Sequence, residues 1–137
     1  MSLSELETLR RLRRHRADRA ERTLREAKRQ QQALLSRIDH AQNALEQSRH
    51  QQTLQSAELL SQHQGQVVSI QAIKSWVAKE HTLSAETLRE EERLRALHGE
   101  KEAQVSEVQH AQKQVSQCLR QVEKLQELSA LLAQEVS

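Results

Sequence analysis

The sequence predicts an all-α fold, a long antiparallel two-helix coiled-coil hairpin with a short helical connector at its tip. Three observations predict it. Ala17, Ala20, Leu24, Ala27, Leu34, Ile38, Ala41, Leu45 and Leu59 fall on one alternating three-four spacing, which returns small and apolar side chains to a single helix face. Leu94, Leu97, Val108, Ala111, Val115, Cys118, Val122, Leu125, Leu132 and Val136 obey the same spacing in a second run. Proline, Phe and Tyr are absent and glycines number two, so turns and aromatic bulk for a compact globular core are missing.

The composition supports a seam and little more. With 36% apolar against 29% charged residues, 137 residues are too thinly apolar for a three-dimensional core of that size. Ala, Leu, Glu, Gln, Lys and Arg dominate, and these lose little side-chain freedom in a helix. Disordered chains do not hold a heptad phase over many turns. The chain therefore reads as one elongated coiled-coil domain over residues 1–137, with helix one at about 4–63, a connector at about 64–83 and helix two at about 84–136.

Helix one is expected to start at Ser4-Glu5-Leu6-Glu7, which has the form of a capping box. It meets no breaker before Gly65, and some 60 residues at 1.5 Å each extend roughly 90 Å. Extrapolating the seam backwards places Arg13 and Arg10 on it, with Leu9 and Leu12 on a line beside it. Around Gly65 the phase is lost. Val67, Val68, Ile70, Ala72, Ile73, Trp76, Val77 and Ala78 then crowd together, which predicts a short connecting helix. Ser84 is the expected N-cap of helix two, with Leu83 and Leu88 as a hydrophobic staple. Gly99 is a weak point costing about 1 kcal/mol relative to Ala, where a bend is expected. Antiparallel folding would bring Leu59 near Thr87 and both termini to one end.

Charge is balanced overall, at +2, but unevenly spread. Arg10 to Arg29 contains ten Lys or Arg residues and three acids, which makes that stretch strongly basic. The single Cys118 rules out an internal disulfide framework and fits a reducing compartment. No apolar run approaches the roughly 20 residues that span a bilayer, and no signal peptide opens the chain. The expectation is a cytoplasmic protein without membrane insertion.

Chemistry finds no frame here. The seven His residues are scattered, no zinc-helix spacing appears, and no Gly-rich phosphate loop or nucleophile-base pair is present. Neither an enzyme nor a cofactor or metal is expected. Glu90-Glu91-Glu92 is explained by pairs with Arg93 and Arg95. Cys118 sits on the seam, where a small apolar residue is wanted. Trp76 either plugs the hairpin end against Ile73 and Leu83 or anchors a partner, and the two roles are compatible. The Arg cluster could neutralise phosphates, yet no aromatic residue lies near it for base stacking, so nucleic acid is not the expected partner.

The basic run Leu9-Arg10-Arg11-Leu12-Arg13-Arg14-His15-Arg16 leading into Asp18-Arg19-Ala20-Glu21-Arg22 and the Gln-rich Lys28 to Leu34 resembles the YscO/FliJ-type stalk proteins of bacterial type III secretion and flagellar export. Ile73-Lys74-Ser75-Trp76 and Leu88-Arg89-Glu90-Glu91-Glu92 add to the likeness, which is nearest to the injectisome branch. The resemblance implies an antiparallel coiled coil whose paired termini enter a ring ATPase. It also implies a link from that ring to the export gate protein, handling of secretion chaperones, a place at the base of the apparatus and a part in virulence. Carried over by position, Arg10, Arg11, Arg13, Arg14, Arg16, Arg19 and Arg22 would face the ATPase. Ile70, Ile73, Lys74, Trp76 and Val77 would face the gate or a chaperone.

The functional expectation is thus a central stalk that couples the ring ATPase to the export gate. Exposed Arg-carboxylate pairs are individually weak, about 0 to 1 kcal/mol, so they can exchange around a ring. A generic coiled-coil scaffold or holdase-like chaperone gripping clients near Trp76 is the alternative. A basic-helix nucleic-acid binder is the second, and it would bind with steep salt dependence.

Overall fold

The computed structural model describes residues 2–136, so Met1 and Ser137 of the expected domain lie outside the described residues. Two long helices account for almost all of them: α1 (Leu3–His63, 61 residues) and α2 (Ile70–Val136, 67 residues). The described residues contain no strand. The fold is all-α, with two helices packed against each other.

The helix starts differ from those expected. Ser2, not Ser4, caps α1: its hydroxyl accepts from the Glu5 N–H at 3.1 Å, and the Glu5 carboxylate accepts from the Ser2 N–H at 3.1 Å. This is the same capping box two residues earlier. Serine is favoured at either position, and Glu5 completes the frame from Ser2. At the other end of α1, Gly65 takes φ +75°, where a side chain would be strained.

No separate connecting helix exists. The connection is only residues 64–69, and α2 begins at Ile70, where Ser69 caps it by accepting from the Ala72 N–H at 3.1 Å. Ser84, the expected N-cap, lies inside α2 and accepts from Gln52 Nε2 at 3.2 Å instead. The segment from Val67 to Ala78 contains no proline or glycine to stop a helix, so α2 runs unbroken from Ile70. It also passes through Gly99, where no break in helical structure occurs.

The chain divides into two compact units. Met1–Ala33 with Glu102–Ser137 forms one, and Leu34–Lys101 forms the other. Within the first, Ala27, Val108 and Ala111 form a buried cluster with Leu24 packed on it. Gln104 Nε2 donates to the Ala27 carbonyl at 2.9 Å, and Arg13 reaches the Gln121 carbonyl at 2.8 Å. As the α1 number falls the α2 number rises, so the segments are antiparallel.

Within the second unit, Leu34, Ile38, Ala41 and Leu97 make the core, with Leu94 against it. Arg37 pairs with Glu100 at 3.7 Å and Arg49 with Glu91 at 3.1 Å across the helices. Such flanking pairs favour one orientation. Glu91 therefore meets an Arg of α1 rather than Arg93 or Arg95. Thr87 meets Ser48 and Gln52, not the neighbourhood of Leu59. The register is shifted because α2 starts far earlier than expected and its seam includes the former connector.

A further correction concerns the seam: Leu9 is half-buried while Arg10 is exposed, and further along α1 Ser56 is half-buried after Ser48 and Gln52. In each place two four-residue steps follow one another, a local departure from the heptad of the kind that unwinds a coiled coil. On α2 the three-four spacing instead runs without interruption from Glu80 through Leu83, Thr87, Glu90, Leu94 and Leu97 to Lys101 and Gln104. Thr87 is the one buried polar residue among those described.

Candidate functional site

The Arg-rich stretch of α1 sorts into paired and unpaired side chains. Arg11 lies 4.0 Å from Glu7 and Arg14 lies 3.8 Å from Asp18, both one turn away on the same helix. Arg13 is half-buried and donates from Nη1 to the Gln121 carbonyl oxygen at 2.8 Å. It occupies the seam as expected and meets a backbone carbonyl rather than an acid. A mid-helix carbonyl has a second lone pair free after its helical bond, and a charged donor uses it well.

Arg10, Arg16, Arg19 and Arg22 are exposed, and among the described residues none has an ion-pair partner. At three-residue steps Arg16, Arg19 and Arg22 run from beside the seam residues Ala17 and Ala20 round toward the outer face of α1. Between them and α2 runs a groove of about 1110 Å³ in the first unit. Ala20, Ala27, Ala111 and Cys118 lie along it, with Thr23 and Gln114 at its sides. Cys118 is free and half-buried, on the seam between Val115 and Val122.

The second group of expected residues sits at the start of α2. Ile70, Ile73 and Val77 are 74%, 48% and 63% exposed, a largely uncovered stripe at helical spacing. Lys74 is exposed beside it. Trp76 is on a different face and half-buried. Its ring stacks on His63 of α1, with centroids 5.2 Å apart and planes 21° from parallel, and its Nε1 donates to Glu80 Oε1 at 3.1 Å. Offset stacking and a satisfied indole N–H hold it in place. The structure thus separates Trp76 from the exposed stripe with which the sequence had grouped it.

Sequence reasoning missed the polar cluster in the second unit. The Thr87 hydroxyl donates to Gln52 Oε1 at 2.8 Å and accepts from Ser48 Oγ at 3.1 Å, while Gln52 Nε2 donates to Ser84. One Glu90 carboxylate oxygen is buried beside this cluster with no hydrogen-bond partner. The signal was available: three-four spacing back from Leu94 passes through Glu90 and Thr87 before it reaches Leu83.

Among the described residues, no three His, Cys, Asp or Glu side chains cluster as a metal site. None of the helices is long and apolar enough to cross a membrane. No family model, curated protein or solved structure matches the chain.

Proposed function

We propose that the protein is a non-catalytic coiled-coil stalk of a type III secretion export apparatus. In this reading it lies in the cytoplasm at the base of an injectisome, couples the ring ATPase to the export gate and hands on secretion chaperones. The observation that carries it is the row of Arg10, Arg16, Arg19 and Arg22, four exposed guanidinium groups without an acid of their own. Arginine in that state suits carboxylates presented by a partner, and weak exchangeable pairs suit a partner that turns. The resemblance of the Arg10 to Leu34 run to YscO/FliJ-type proteins supplies the identity of that partner.

The test is co-sedimentation with the cognate export ATPase, comparing wild type with an Arg16→Glu, Arg19→Glu, Arg22→Glu variant. Wild type should travel with the ring and the variant should not. Equal recovery of both would sink the reading. Arg13 is left intact because it holds α2.

The exposed stripe of Ile70, Ile73 and Val77 favours a second reading, a coiled-coil scaffold or holdase-like chaperone that grips apolar clients. Under it, Ile73→Ser with Val77→Ser abolishes client binding while the Arg variant retains it.

A further inference from the structure

We infer that the groove of the first unit seats an acidic amphipathic helix of a partner as a third strand beside α1 and α2. The inference rests on the reading of the Arg row as a surface for an acidic partner, and adds the form of that partner.

The groove is large, about 1110 Å³, and its two walls differ. Arg16, Arg19 and Arg22 supply the α1 wall, with none of the three in an ion pair. On the same wall Glu26 is already occupied by Arg29 at 3.5 Å. The α2 wall offers Glu107, His110 and Gln114. Between the walls lie the half-buried Ala20 and Cys118 and, beneath them, Ala27 and Ala111, which are already buried between the helices. Larger side chains from a third helix would have room there, in the manner of knobs entering holes.

Charge decides the occupant. A groove in the second unit, about 580 Å³, has Glu86, Arg89, Glu90 and Arg93 alternating along α2, so it presents no single sign. On the α1 wall of the first unit the three arginines are unpaired and the one acid, Glu26, already meets Arg29. A nucleic-acid strand would satisfy the arginines, but no aromatic residue lines the groove for stacking. A second copy of this chain would bring its own unpaired arginines against these. An amphipathic helix fits both features, with apolar residues over the half-buried Ala20 and Cys118 and carboxylates toward Arg16, Arg19 and Arg22. Its opposite flank, facing Glu107, must be uncharged or basic. Arg16 to Gln30 gives such a helix roughly 21 Å of contact along α1.

The experiment uses the full chain and a synthetic peptide of about three heptads with Leu at the seam positions, Glu on one flank and Gln on the other. Binding is read by fluorescence anisotropy, and groove occupancy by the alkylation rate of Cys118. The acidic peptide should bind and slow alkylation about tenfold, and a version with Lys in place of Glu should do neither. Gln114→Trp, which obstructs the groove from an exposed position, should weaken binding about tenfold with unchanged helicity. Thr23→Trp should do the same from the opposite wall. No binding by the acidic peptide would overturn the inference. So would binding that leaves Cys118 as reactive as before, or a sedimentation result showing the groove filled by a second copy. If Gln114→Trp and Thr23→Trp still travel with the export ATPase while the Arg variant does not, the groove is wrong and the stalk reading stands. If the peptide protects Cys118 but no ring ATPase binds the wild type, the groove stands and the stalk reading falls.

Discussion

The hydroxyl of Thr87 on α2, the one buried polar residue among those described, gives its proton to Gln52 Oε1 on α1 at 2.8 Å. Ser48 donates to the same hydroxyl, and the Gln52 amide goes on to Ser84. The Thr87 hydroxyl also lies 3.1 Å from the Leu83 carbonyl of its own helix, so a slip of register would cost the contacts with Gln52 and Ser48 rather than every partner it has, and those cross-helix contacts favour this alignment.

Thr87→Val should therefore destabilise the second unit by about 1 to 2 kcal/mol, because Gln52 and Ser48 lose their shared partner while staying in the seam. Replacing all three by apolar residues should restore much of the loss and loosen the register. Urea titration checks the first expectation. Cross-linking of cysteine pairs placed at matched and slipped positions checks the second.

Glu90 acts against the same unit. Its buried carboxylate oxygen without a partner predicts that Glu90→Leu raises stability by about 1 kcal/mol or more, since it removes the unsatisfied group and lengthens the apolar seam toward Leu94. A lower melting temperature in the variant would show that Glu90 has a partner in solution.

The two glycines should respond with opposite signs. Gly65→Ala forces a side chain into φ +75° and should cost about 1 kcal/mol. Gly99→Ala lies within α2, where an added methyl meets nothing within 4 Å, and should gain up to about 1 kcal/mol from helix propensity. Thermal melts of the two variants against wild type decide both signs.

Much of this was legible in the residues. The three-four spacing named most of the buried positions, from Ala17 and Ala27 to Val122 and Leu125, because small and apolar residues sustained at that spacing over many turns mark a covered helix face. The polar seam positions were harder to read. Thr87 and Glu90 are seam residues by spacing but solvent residues by chemistry, and composition outweighed periodicity. The start of α2 was misplaced for a related reason. Ser84 has the chemistry of a cap, yet a serine inside a helix that nothing interrupts has no orphan N–H groups to serve, and Ser69 serves them instead. At the candidate site, spacing could place seven arginines on one stretch but could not say which were taken. That depended on Gln121, distant in sequence, and on Glu7 and Asp18.

Arg13 is set apart from its neighbours by that contact. Arg13→Ala should lower the stability of the first unit by about 1 kcal/mol, whereas Arg16→Ala should change it by less than about 0.5 kcal/mol. Denaturant midpoints for the two variants provide the check. Equal effects would mean that the Gln121 carbonyl contributes nothing.

The most direct test of the stalk reading is the turnover of the cognate export ATPase with and without the full chain over a rising salt series. Docking through Arg10, Arg16, Arg19 and Arg22 predicts stimulation that fades as salt screens exposed charge pairs. Turnover that is unchanged by the protein at every salt concentration would contradict it.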